Sequence, residues 1–238
     1  MTKTRKITFK IFLFERVKKK IKFFNTETYP LHIRLTSGVK TLNLKSYYFV
    51  AIRQNKYQQD ALFNNKKITI DDIIIQEQKI IRYLLKKQKK AASLELIRQE
   101  YGFYSYDILH ELDERFKNFL IDFFNIEKLP AYSLFIQNEG GNLTSEFILK
   151  NLEMSLQHTI FDKLLRLALE KAPPYIPLIH FFREKLNQKL PVFPVYEWQK
   201  KLVVKKYITF IETRYPQYQL NNPIDYINRL LEDKFPVK

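Results

Sequence analysis

Arg34 and Asn43 carry the side chains best shaped to hold a nucleobase edge. A guanidinium spans the two acceptors of guanine, and a carboxamide matches the donor and acceptor of adenine. Lys10, His32, Thr36, Thr41 and Lys45 share their setting and supply groups suited to phosphate oxygens. Other chemistry has fewer candidates. With no cysteine in the chain, a thiol nucleophile, a disulfide framework and thiolate zinc sites are excluded. The four histidines, His32, His110, His158 and His180, contain no i, i+4 pair that would grip a metal from one helix. Asp71-Asp72 falls where a helix N-terminus is expected, and its charge is favourable there without any metal. Asp113-Glu114 shares a helix with Arg115 and Lys117, the pattern of a solvated face. Gly140-Gly141 has no Lys-Ser/Thr after it, unlike a phosphate-cradling loop. No catalytic residue, metal ligand or cofactor is therefore nominated, and the expectation leans away from an enzyme.

The base-reading candidates must be held by strands. Thr8 to Phe14 puts Phe9, Ile11 and Leu13 on one side and Thr8, Lys10 and Phe12 on the other. Leu31 to Thr36 sets Leu31, Ile33 and Leu35 against His32, Arg34 and Thr36, and Thr41 to Lys45 sets Leu42 and Leu44 against Thr41, Asn43 and Lys45. Such period-2 alternation indicates a sheet with one solvated face. Ser37-Gly38-Val39-Lys40 is a hairpin connection, and the charged link Glu15 to Tyr29 joins the first two strands. A three-stranded antiparallel sheet follows, narrow enough to enter a major groove. Asp71 to Leu85, with Ile73, Ile74, Ile80, Ile81, Leu84 and Leu85 at helical spacing, supplies an amphipathic lid for the apolar face.

Charge points to the same segment. The chain of 238 residues carries a formal net charge of +16. Residues 1 to 90 hold 22 Lys and Arg against 6 Asp and Glu, whereas the remainder holds 19 of each. The whole excess lies where the strands lie, as expected when one segment is the electrostatic footprint for a polyanion. The candidate nucleic-acid contacts are Lys10, Lys18, Lys19, Lys20, Lys22, His32, Arg34, Thr36, Lys40, Asn43 and Lys45. Abundant aromatics, 20 Phe and 15 Tyr, argue for a packed core rather than disorder. No run of 18 apolar residues and no signal-peptide pattern is present, so a soluble, cytoplasmic protein without a membrane role is expected, nucleoid-associated if it binds DNA.

A leading hydrophobic strand, a Lys-rich link, the strand Tyr29-Pro30-Leu31-His32-Ile33-Arg34-Leu35-Thr36, a Gly turn, another strand and a following helix resemble a known arrangement. It is the arm-type DNA-binding domain at the N-terminus of Bacteroidetes-type tyrosine recombinases, the integrases of phages and conjugative elements. The resemblance covers about the first 90 residues, to the precision with which boundaries are read from sequence. It implies a three-stranded sheet packed on a helix that enters the major groove. The tryptophan often found after the third strand is absent, and Tyr47, Tyr48 and Tyr57 are aromatics near that place. His180-Phe181-Phe182-Arg183 has the family's His-x-x-Arg spacing, and Trp198 precedes Tyr207 by nine residues. Only 15 positions separate Arg183 from Trp198, too few for the intervening helices, so His180 and Arg183 read as one face of a structural segment.

The expected fold class is α+β: a small three-stranded antiparallel sheet plus helix over residues 1–90, then a mainly α-helical domain over 91–238. Helices are expected over Ser93 to Tyr101, Ser105 to Asn125, Thr144 to Lys171 and Pro194 to Tyr215, with a last one opened by Asn222-Pro223. The expected function is duplex DNA binding by an accessory or regulatory factor of a mobile element. The helical part would supply dimerisation, a protein partner or a second DNA grip. Three alternatives stand beside it. An RNA-binding structural protein would show aromatics on the exposed sheet face, where only Phe12 and Phe14 qualify. A truncated or divergent recombinase would use His180, Arg183, Trp198 and Tyr207. A protein-interaction module would use the basic region only for solubility.

Overall fold

In a computed structural model of the chain, the structure describes residues 7–88, 93–186, 188–216 and 221–236. The expected boundary near residue 91 lies outside them. The alternating runs form strands β1 (Ile7–Leu13), β4 (Leu31–Ser37) and β5 (Lys40–Lys45), joined by a short ribbon of β2 (Ile21–Phe23) and β3 (Thr26–Thr28). Strands β1, β4 and β5 make an antiparallel sheet in the order β1-β4-β5, and β2 pairs with β3 alone. Leu31, Ile33 and Leu35 are buried while His32, Arg34 and Thr36 keep partial exposure, so the central strand has one core face and one outer face. The β4–β5 connection is two residues long, Gly38-Val39, with Gly38 at φ 61°. A hairpin this tight needs a positive φ at its first central position, which glycine takes without strain.

The core face is roofed by helices. Ser46 ends β5 and caps α1 (Tyr47–Ile52) by accepting from the Phe49 N–H at 3.1 Å. After α2 (Asn55–Phe63) comes α3 (Ile70–Lys87), opened by a capping box in which the Thr69 hydroxyl accepts from Asp72 N–H and the Asp72 carboxylate accepts from Thr69 N–H. Its Ile73, Ile80, Ile81 and Leu84 are buried with Ile33, Leu35 and Leu44 in the first core. That core also takes Ile97, Tyr101 and Tyr104 from α4 (Leu94–Ser105) and, from far down the chain, Leu190 and Val192.

The second core is all helical. It is built on α5 (Ile108–Ile126), whose Leu112, Phe116, Leu120 and Phe124 are fully buried. Around it stand α6 (Pro130–Glu139), α7 (Ser145–Ser155), α8 (His158–Lys171) and α9 (Tyr175–Phe181), which runs into a π-helical turn, Phe182–Leu186. Then come α10 (Val195–Trp198), α11 (Lys201–Arg214) and α12 (Asn221–Lys234). The fold is thus α+β with a mostly helical part, as composition and periodicity indicate. Two expected helices are each divided in the structure. Thr144 to Lys171 breaks at Leu156, whose extended ψ of 155° ends α7 before Gln157 starts α8. Pro194 to Tyr215 breaks at Gln199-Lys200, between α10 and α11. Among the described residues no helix is long and apolar enough to cross a membrane.

Candidate nucleic-acid interface

Strand register aligns the outer-face residues into rows. Lys10 pairs with Arg34, and Arg34 with Asn43, so these three lie side by side across β1, β4 and β5. Toward the hairpin tip the next row is Thr8, Thr36 and Thr41; in the other direction it is Phe12, His32 and Lys45. The three strands contain no acidic residue, so nothing on the strands themselves cancels the charge of Lys10, Arg34 and Lys45.

Arg34 is held in place from two sides. Its Nε donates to Asn43 Oδ1 at 3.1 Å, and its guanidinium lies 4.8 Å from the centre of the Phe12 ring. The bond uses one of five guanidinium donors. The Nη edge that matches guanine and the Asn43 amide N–H groups keep their donor capacity in this bond. Cation–π contact and hydrogen bond together limit the rotamers the arginine samples, which lowers the entropy lost on binding. His32 stacks on Phe14 with ring centres 4.6 Å apart and planes 7° from parallel, while Phe12 lies 6.3 Å from both rings. Burial, and then the positive charge of Lys45 across the strand, lower the pKa of His32 from its ordinary value.

The remaining sequence candidates are placed differently. Lys18, Lys19 and Lys20 are exposed in the link that leaves the Phe14 end of the sheet, with Lys20 Nζ 5.8 Å from the Tyr29 ring centre. Lys22 is on the separate ribbon, paired with Glu27, and its carbonyl accepts from Arg53 Nε at 2.9 Å. Lys40 pairs with Ser37 at the hairpin tip and has the parity of the core-facing residues. The structure therefore brings Lys10, His32, Arg34, Thr36, Asn43 and Lys45 onto one face, places Lys18, Lys19 and Lys20 at its aromatic end, and sets Lys22 and Lys40 apart from it.

Asp113-Glu114 corrects the expectation of a solvated face. Asp113 is 3% exposed, 2.8 Å from Lys117 and 3.3 Å from Lys56, and accepts the Ser145 N–H at 2.7 Å. Burial alone would lift its carboxyl, but Lys117, Lys56 and the Ser145 amide outweigh it and hold the group below the usual carboxylate range. Glu114 also pairs with Lys56, at 2.8 Å. The partner was invisible locally because Lys56 is 57 residues away.

His180, Arg183, Trp198 and Tyr207 serve the fold. His180 Nδ1 meets the Tyr215 hydroxyl, and the two rings stack at 6.3 Å. Arg183 donates through Nε and Nη2 to Glu146 Oε2, at 3.0 and 2.7 Å, and through Nη2 to Asp60. Trp198 Nε1 donates to Asn228 Oδ1 at 3.1 Å, and Tyr207 is fully buried against Trp198 and Phe181. A tyrosine so enclosed has no approach for a phosphodiester, and the arginine faces carboxylates. Asp71-Asp72 does mark a helix start: Asp72 is in the capping box and also holds Lys189 at 2.7 Å.

Sequence reading placed Phe12 and Phe14 on the outer face but missed the stack they form with His32 and Arg34. The signal was their shared parity, since Phe12 pairs with His32 in register. No family model, curated protein or solved structure matches the chain.

Proposed function

We propose that the outer face of the β1-β4-β5 sheet binds duplex DNA, with Arg34 and Asn43 reading base edges and Lys10, Lys45 and the link lysines contacting phosphates. The observation that supports it best is the Lys10–Arg34–Asn43 row, set by strand register and stiffened by the Arg34–Asn43 bond and the Phe12 ring. A three-stranded face of this width suits the major groove. The confinement of the net charge to residues 1–90 supports the same reading. By its resemblance to integrase arm-binding domains, the biological role is that of an accessory or regulatory factor of a mobile element. Fluorescence anisotropy of the full chain with duplex DNA, across a salt series and several sequences, tests it. A steep log–log salt slope with sequence preference that Arg34→Ala removes is the expected result. Equal binding of wild type and Arg34→Ala on every sequence would refute the face as reader.

A second proposal concerns the helical part as a protein-binding surface. Leu134 and Phe135 of α6 and Met154 of α7 are exposed, and Tyr132, Phe135, Ile148 and Leu152 line a groove between these helices. Exposed apolar surface of this kind marks contact sites. Sedimentation of wild type and Phe135→Glu checks for self-association through it.

A further inference from the structure

The outer face is not uniform. Its middle row is polar, whereas the Phe14 end is ringed: Arg34, Phe12, His32 and Phe14 follow one another with centre separations of 4.8, 6.3 and 4.6 Å. Phe12, His32 and Phe14 are each partly exposed, on the face turned away from the core. Each ring keeps part of its surface uncovered on this face, and base–aromatic stacking is the interaction that such a surface offers a nucleic-acid strand. The link lysines Lys18, Lys19 and Lys20 come after Phe14, Glu15, Arg16 and Val17 and put positive charge at this same end.

Resting on the duplex-DNA reading above, we infer that the Phe14–His32 stack is a platform for one unpaired base, so that the preferred ligand is a DNA duplex ending in, or interrupted by, an unpaired nucleotide. The spacing agrees. The aromatic row is two residues along the strand from the Lys10–Arg34–Asn43 row, about 7 Å or about two steps of 3.4 Å along a DNA strand. With Arg34 and Asn43 on the penultimate base pair, the first unpaired base thus lies over the rings, while the strand's phosphates run on toward the link lysines. Intact duplex keeps its bases stacked on one another and gives the platform nothing to hold.

The test uses the full chain, a short blunt DNA duplex, and the same duplex extended by a short unpaired overhang that carries 2-aminopurine. Extended DNA is expected to bind about tenfold tighter than blunt DNA, as one stacked base contributes. The 2-aminopurine emission should be quenched on binding. Phe14→Leu, which keeps apolar bulk and removes the ring, should erase the advantage while leaving blunt binding within about twofold. Equal affinity of wild type for the two DNAs, with unquenched emission, overturns the inference but leaves duplex recognition standing. Equal weakening of both DNAs by Phe14→Leu overturns it too, because the ring then only supports the sheet. If that variant does not fold, the wild-type affinity ratio and quench decide the matter. Failure of wild type to bind either DNA at low salt removes the function itself, a result distinct from loss of the overhang preference alone.

Discussion

Arg34 and Arg183 are each fixed by neighbours, in opposite surroundings. Arg34 rests on an amide oxygen and a phenyl ring, neither of which carries charge, so its positive charge remains available to a partner. Arg183 sits between Asp60 and Glu146 at 15% side-chain exposure, and its charge is spent inside the protein. The contrast extends to the regions. On the sheet face, cations stand in rows without acids. Where α2 meets α5, α7 and the π-helical turn, Lys56, Lys117 and Arg183 meet Asp60, Asp113, Glu114 and Glu146. Pairing makes a charge structural, and orienting it against a neutral neighbour leaves it open to the proposed partner.

Cutting one partner out of the buried cluster should give the largest effect. Arg183→Leu leaves the buried Asp60 carboxylate without its ion pair and Glu146 with only Lys150, at 3.8 Å, and should cost about 3–5 kcal/mol of stability, read from the urea midpoint. Binding by the remaining folded protein should not change. A loss under 1 kcal/mol would mean that solvent replaces the guanidinium and that the cluster is not the structural opposite of the sheet face.

Glu77 sharpens the comparison because it is buried with no cation beside it among the described residues. Burial lifts its carboxyl from 4.5 to about 7 despite hydrogen bonds from Ser46, Tyr101 and the Tyr48 amide. The folded state therefore prefers the protonated form. Its contribution to stability is complete below about 4.5 and is lost as pH rises through about 7, a change on the order of 3 kcal/mol. Glu77→Gln cannot ionise, so it should gain on the wild type between about pH 5 and about pH 7.5. Urea melts at the two pH values measure the difference, and parallel curves would show that Glu77 ionises at its ordinary pH.

On the open face, substitutions should leave stability within about 0.5 kcal/mol and act on binding. Arg34→Ala should weaken the preferred duplex by about 1–3 kcal/mol and flatten sequence preference. The smallest effect belongs to the link: Lys19→Ala should lower affinity evenly for all sequences and reduce the salt slope by about 1. If Lys19→Ala altered sequence preference instead, the division between reading and steering residues would fail.

The sheet was legible because its pattern is local. Each strand alternates over six or seven residues, and the outer-face set of Lys10, His32, Arg34, Thr36, Thr41, Asn43 and Lys45 follows from parity alone. The β2–β3 ribbon was not legible, since three-residue strands are too short to show alternation. Helix α6 went unread because its apolar residues form no consistent stripe, and α1 is only six residues long. The buried cluster escaped for a different reason: Arg183 and Asp60 are 123 positions apart and Lys56 and Asp113 57 apart, and no window along the chain relates them. For the interface, sequence provided the residues and parity, whereas the restraint of Arg34 and the Phe14–His32 stack needed coordinates.

The sheet order leaves β1 and β5 with one strand neighbour each. The β1 segment, Ile-Thr-Phe-Lys-Ile-Phe-Leu, is rich in β-branched and aromatic residues, the composition from which fibrils grow when an edge is free. Lys10 stands at its midpoint and makes that edge inhospitable to a second strand. A lysine in an edge strand of this composition disfavours pairing with a second copy, and a variant that neutralises Lys10 to probe affinity is expected to aggregate more readily as well.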